Sequence, residues 1–151
     1  MNTLNTFKNN LKNITKFSNV KYLLHNSTIS QNDLYLFQKQ FNDDSYYNNN
    51  YNKHLLYKND LLDCYLIFWN KNAQSSIHDH SQNGCYYKIL KGSLCEYVYN
   101  DKLELIRLNN LLNNEVSYID NNIGYHKMIN DNLFSVSMHI YSPPDYIMNS
   151  Y

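Results

Sequence analysis

The stretch Leu133-Phe134-Ser135-Val136-Ser137-Met138-His139-Ile140-Tyr141 alternates apolar and polar side chains from Phe134 onward. Side chains in a strand repeat every two residues, so Phe134, Val136, Met138 and Ile140 share one face. Ser135, Ser137, His139 and Tyr141 share the other, and Pro143-Pro144 ends the run. The polar face has two readings. One is the solvent side of an amphipathic strand. The other is the wall of a polar cavity, with a hydrogen-bond chain running from serine through imidazole to phenol and both nitrogens of His139 occupied.

Working back from this strand, the period stays short. Leu61 to Trp69 is nearly continuous apolar sequence, as expected of a strand buried on both faces. Tyr86–Leu90 and Ser93–Tyr99 flank Lys91-Gly92, which reads as a hairpin turn. Glu115–Ile119 is a further short strand, closed by a turn at Asp120-Asn121-Asn122. Strand-like periodicity begins near Leu55; Asn42–Asn52 before it reads as a polar loop. The first forty residues instead show spacings of three and four. Leu4, Phe7, Leu11, Ile14 and Phe17 fall on one helical face, with Thr3 as its cap. Ser30 opens a second helix, with Asp33 completing a variant capping box and Leu34, Phe37 and Phe41 forming its stripe. The expected architecture is mainly β. It is one domain over 1–151, helical to about residue 45, with a small barrel or sandwich over about 51–151.

Composition excludes several classes. The 151 residues carry 13 basic and 13 acidic side chains, a net charge of zero without a basic block, which argues against a nucleic-acid partner. No apolar run is long enough for a bilayer, and the lysine-bearing start lacks the apolar region of a signal peptide, so no membrane partner is expected. Three cysteines fit a reducing, cytoplasmic setting. Asparagine occurs 27 times, and Arg107 is the sole arginine.

His78 and His80, in Ser75-Ser76-Ile77-His78-Asp79-His80, are separated by one residue and would share a face of a strand, able to converge on one metal ion. A bare pair of this kind is also common among surface histidines. His126 is a third candidate, in Ile123-Gly124-Tyr125-His126, where glycine permits close backbone approach to the site. His25 and His54 have no partner pattern and read as surface residues. Three neutral imidazoles leave a divalent ion with its full charge and an open position. That suits zinc with an activated water or a non-haem iron. Asp79 points away from the histidine face and is left out of the ligand set.

Ser75–His80, Cys85, Lys88-Ile89-Leu90-Lys91-Gly92, Ile123–His126 and Ser137–Pro144 resemble the cysteine dioxygenase family in order and spacing, over about Tyr51 to Pro144. The resemblance implies a cupin, a small jelly-roll-like β-barrel with an N-terminal helical segment, holding Fe(2+) through His78, His80 and His126. Gly84 and Cys85 stand where other cupins place a glutamate, and the family implies a thioether between Cys85 and Tyr141. It further implies that L-cysteine binds iron through sulfur and amine, and that both atoms of O2 end on the sulfur as cysteine sulfinate. Tyr141 would orient substrate and oxygen, with His139 and Ser137 holding it. The family reads the substrate carboxylate with an arginine two residues after a tyrosine. Here Tyr51 is followed by Lys53, which keeps the charge but loses the planar fork. Lys53 is otherwise a solvated loop lysine. The altered position opens an alternative substrate, another small thiol such as 3-mercaptopropionate. Readings from other classes are a metal-binding cupin without turnover and a three-histidine zinc hydrolase. The protein is expected to be a monomer.

Overall fold

A computed structural model of the protein describes residues 2–41 and 50–151. Three short helices, α1 (Thr3–Lys12), α2 (Val20–Asn26) and α3 (Gln31–Gln38), precede eight strands. These are β1 (Tyr51–Lys58), β2 (Asp63–Asn70), β3 (Cys85–Lys91), β4 (Leu94–Tyr99), β5 (Leu105–Leu111), β6 (Val116–Ile119), β7 (Tyr125–Ile129) and β8 (Phe134–Tyr141). They form two antiparallel sheets, one ordered β1-β2-β8-β3-β6 and the other β5-β4-β7. No described helix is long and apolar enough to cross a membrane.

The two faces of β8 end in two different cores. Val136, Met138 and Ile140 join Leu66 and Phe68 of β2 in a cluster with Leu4, Phe7, Leu11, Leu24 and Leu34 of the helices. Ile67 and Trp69 of β2 and Tyr87 and Ile89 of β3 face the other way, packing with Val98 of β4 and Met128 of β7 between the sheets. The polar face of β8 is therefore inside the sandwich. Ser135, Ser137 and His139 are all buried, which overturns the solvent-side reading. The run from Leu61 to Trp69 owes its continuity to the same arrangement, since β2 is covered by helices on one side and by the second sheet on the other.

The helical segment departs from a single long stripe. Helix α1 stops at Lys12, and Ile14 and Phe17 reach the same core from the connection and from a 3-10 turn at Phe17–Asn19. Asn2, rather than Thr3, caps α1, with its Oδ1 accepting from Asn5 N at 3.0 Å. Thr3 donates its N–H and hydroxyl to Asp33 Oδ2 (2.6 and 2.5 Å), which ties α1 to α3. Ser30 caps α3 as expected, accepting from Asp33 N at 3.0 Å. Because Asp33 is committed to Thr3, the box is not closed reciprocally. Of the expected loop at 42–52, residues 42–49 lie outside the described residues, while Tyr51 and Asn52 already belong to β1.

The Lys91-Gly92 turn is not a hairpin. Strand β3 pairs with β6 and β8, whereas β4 pairs with β5 and β7 in the opposite sheet. Gly92 carries the chain around this corner at φ +72°, so close to β8 that an added Cβ would meet Ser135 Oγ at 2.4 Å. Local turn chemistry marks a reversal but does not say whether the next strand pairs or crosses over. Cys64, Cys85 and Cys95 are all free thiols.

Candidate metal centre

The segment between β2 and β3 is extended rather than a regular strand, and two isolated bridges dock it on β7, Gln74 to Ile129 and His78 to His126. His78 N donates to His126 O (3.0 Å) and His126 N to His78 O (3.1 Å). The convergence of His78 and His80 therefore comes from docking rather than from strand alternation. The ligand-capable atoms of His78, His80 and His126 lie within 4.8 Å of one another, and all three residues are buried. Gly124 makes its close approach to β4 rather than to this cluster, since an added Cβ would sit 2.3 Å from Tyr99 O.

Hydrogen bonding settles which nitrogens face inward. His78 Nδ1 lies 2.9 Å from Ser76 O, and His126 Nδ1 lies 2.8 Å from Glu96 Oε1. Both partners only accept, so both Nδ1 atoms carry hydrogen, and in the neutral rings each Nε2 presents a lone pair. Those two Nε2 atoms face each other at 3.1 Å. Two lone pairs so close repel unless a cation lies between them. Neither nitrogen of His80 has a hydrogen-bond partner, although the residue is 1% exposed. An orphaned buried imidazole costs free energy that a metal ion would recover. Burial first, and then the closeness of the His126 ring, lowers the pKa of His78 to about 3 and of His80 to about 2, so both stay neutral, the ligating form. The donor set thus fits a divalent ion.

Beside the histidines, β8 and β3 build a polar wall. Trp69 Nε1 donates to Ser137 Oγ (2.8 Å), and Ser137 Oγ lies 2.9 Å from His139 Nε2. The serine oxygen joins the indole to the imidazole, whose other nitrogen, Nδ1, lies 3.8 Å from Cys85 Sγ. The serine–imidazole link is thus present, but the imidazole turns its second nitrogen to the thiol rather than to the phenol. The Tyr141 ring lies 6.2 Å away and 22° from parallel. Cys85 and Tyr141 are direct cross-strand partners. Burial above all raises the pKa of both, keeping the phenol and the thiol protonated.

Tyr51 and Lys53 of β1 line the narrow cavity, about 30 Å³, that also touches His78, His126, His139 and Tyr141. Lys53 is on a strand rather than in a loop and is exposed as a residue, and its Nζ sits 4.2 Å from the Tyr65 ring centroid and 4.6 Å from that of Tyr141. Although the residue as a whole is exposed, desolvation of the ammonium between these rings lowers its pKa, opposed by Cys85 and Asp63. The chain after β8 closes the cavity rim. Asn149 donates its N–H and its Nδ2 to the Asp79 carboxylate, both at 2.7 Å, and Tyr151 N donates to Ile77 O at 2.9 Å. Asp79 is thereby turned away from the histidines, and this strap brings Met148 to the cavity. His25 is exposed, whereas His54 is half-buried, stacked on Phe41 at 3.7 Å.

Sequence reasoning missed Glu96, which is 0% exposed. Its Oε1 accepts from His126 Nδ1 and the Tyr87 hydroxyl, and its Oε2 from Asn109 Nδ2 at 2.7 Å. The available signal was the alternation of Leu94, Glu96 and Val98 on the inward face of β4, a carboxylate among core positions.

The model of the family Cysteine dioxygenase type I matches residues 12–151. Cysteine dioxygenase type 1 of Rattus norvegicus is 37% identical over 87 residues, which cover 52% of this chain and 44% of that protein. Its counterpart in Homo sapiens is 36% identical over the same span and coverage. The chain thus matches less than half the length of these curated relatives. Among solved structures, a Klebsiella pneumoniae protein with a double-stranded β-helix domain superposes with TM-score 0.58 at 8% identity, covering 68% of this chain and 80% of that one. A cupin superfamily protein from Desulfitobacterium hafniense gives TM-score 0.52 at 14% identity, covering 62% and 78%. These two likenesses show the fold, a cupin.

Proposed function

Because the chain belongs to the cysteine dioxygenase type I family, we propose that it is an iron-dependent thiol dioxygenase that converts L-cysteine to cysteine sulfinate. The observation that carries the reading is the cluster of three buried histidines, two of them with lone pairs face to face at 3.1 Å, beside a wall of Ser137, His139, Cys85 and Tyr141. Zinc binding alone needs no such wall, and a metal-storing cupin needs neither the cysteine nor the phenol. Fe(2+) held by His78, His80 and His126 would supply the oxygen chemistry.

The protein's own part is binding, orientation and exclusion of water. Lys53 binds the substrate carboxylate as a point charge, leaving the rings of Tyr65 and Tyr141 to do so. Tyr141 keeps its proton and offers it as a hydrogen bond to the bound reactants. His139, locked between Ser137 and Cys85, braces that side of the cavity without taking up charge of its own. The strap through Asn149 and Met148 limits water entry. Cys85 and Tyr141, cross-strand neighbours, would form the family's thioether, in which the S–H and one ring C–H give way to a C–S bond. Two protons and two electrons pass to dioxygen.

Lys53 also favours a second substrate, 3-mercaptopropionate. A single ammonium holds a carboxylate less directionally than an arginine fork, so it discriminates less by geometry. Anaerobic loading with Fe(2+), then oxygen and a panel of thiols, tests both. Sulfinate from L-cysteine is the expected product, and Lys53→Arg should lower KM. Sulfinate from another thiol alone would move the substrate assignment; none from any thiol would remove the dioxygenase reading.

A further inference from the structure

The three histidines are held by three different means. His78 leans on the Ser76 carbonyl, and the backbone of His80 is bracketed by Asn121, which accepts from His80 N (2.8 Å) and donates to His80 O (2.9 Å). Among the described residues, only His126 of the three is held by a carboxylate. Glu96 is fully buried, and its Oε1 meets His126 Nδ1 at 2.8 Å. Its remaining bonds come from a phenol and an amide, which orient the carboxylate without cancelling its charge. A buried carboxylate so placed is costly unless positive charge lies close by. The cation that the three imidazoles are built to receive would lie just beyond His126.

We propose that Glu96 is a positioning residue of the metal centre, fixing the His126 ring with its Nε2 toward the ion and making it the most strongly donating of the three ligands. Tyr87 and Asn109 hold Glu96 in turn. Tyr87 also stacks on His139 (5.3 Å between centroids, 13°), so the brace behind the metal ligand and the polar wall of the cavity share one residue. A carboxylate behind a ligating imidazole raises its basicity and fixes its tautomer, and loss of such a partner typically weakens metal binding about 10–100-fold. The inference rests on the proposed metal centre but not on thiol oxidation.

The test is metal affinity, read with Co(2+) against a competing chelator on metal-stripped full-length protein, with the visible ligand-field spectrum of bound Co(2+) recorded alongside. Glu96→Gln keeps the shape and removes the charge. It should bind Co(2+) about 10–100-fold more weakly, with a shifted spectrum and unchanged thermal melting of the metal-free form. Tyr87→Phe and Asn109→Ala leave the carboxylate in place, and each should weaken binding less than Glu96→Gln does while moving the spectrum in the same direction. Wild-type affinity and spectrum in Glu96→Gln would overturn the proposal. If that variant fails to fold, the other two decide: wild-type behaviour in both overturns it, and weakened binding with a shifted spectrum supports it. A wild-type protein that takes up no Co(2+) sinks the metal centre and this inference together. Normal uptake with an indifferent Glu96→Gln sinks this inference alone.

Discussion

The two sheets that face each other across the cavity are supported very differently. Strands β2, β8 and β3 of the five-stranded sheet lie between the helical core and the inter-sheet core, so the wall carrying Ser137, His139 and Cys85 is packed from behind by Val136, Met138 and Ile140. Among the described residues the three-stranded sheet has no such backing. Its edge strand β5 exposes Leu105, Ile106 and Leu108 by 53–58%. Yet this thinner sheet carries His126, and polar bracing compensates: Glu96 and Asn109 from the same sheet, Tyr87 reaching across from β3, and the bridge to His78. Dense apolar packing suffices to hold a cavity wall in place. A metal ligand needs ring orientation as well, and hydrogen bonds are directional where packing is not.

The sharpest way to break this comparison is to remove a ligand that neither sheet provides. His80→Ala should abolish retention of iron through desalting, measured by elemental analysis, because two imidazoles cannot close the site. Next comes the wall. Tyr141→Phe should leave metal content unchanged and lower kcat about 100-fold, the usual order for losing one preorganised donor. It should also report on the thioether, since Cys85→Ala abolishes the two-hydrogen mass deficit expected of the intact chain. A normal kcat in Tyr141→Phe would make the five-stranded wall a scaffold only.

Stability separates the sheets further. Met138 is fully buried against the helices, and Met138→Ala should cost about 2–5 kcal/mol by chemical denaturation. The histidines add a dependence on acidity. Folded His78 and His80 hold no proton until pH falls to about 3 and about 2, whereas in the unfolded chain they protonate near 6.5. Between those limits the unfolded state binds more protons, so metal-free protein should lose stability steadily as pH falls from about 6.5 toward 3. A flat profile over that range would mean that the histidines are hydrated rather than held in a dry site. The smallest effect belongs to the outer sheet: Leu108→Ala, at a 58% exposed position, should change stability by no more than about 0.5 kcal/mol.

Much of the site was legible because its residues sit in local patterns. The alternation of β8 put Ser137, His139 and Tyr141 on one face, and the motif spacing pointed to His78, His80, His126 and Cys85. Lys53 and Tyr51 line the same cavity as His78, His126 and His139. What stayed hidden had no local signature. Glu96 is one carboxylate in a short strand, and only the pairing of β4 with β7 brings it behind His126. The strap depends on Asn149 meeting Asp79, seventy residues away in sequence.

The sequence by itself determined the strand periodicity, the order of the chemically active residues and the family, because each is written in nearest-neighbour spacing. Only the tertiary structure decided which face of β8 is dry, whether Lys91-Gly92 joins paired strands or opposite sheets, and what stands behind each histidine. Those outcomes follow from which surfaces bury one another. An alternating strand looks the same whether water or a second sheet covers its polar side. Here the second sheet covers it, and that turns a row of polar side chains into the wall of a site.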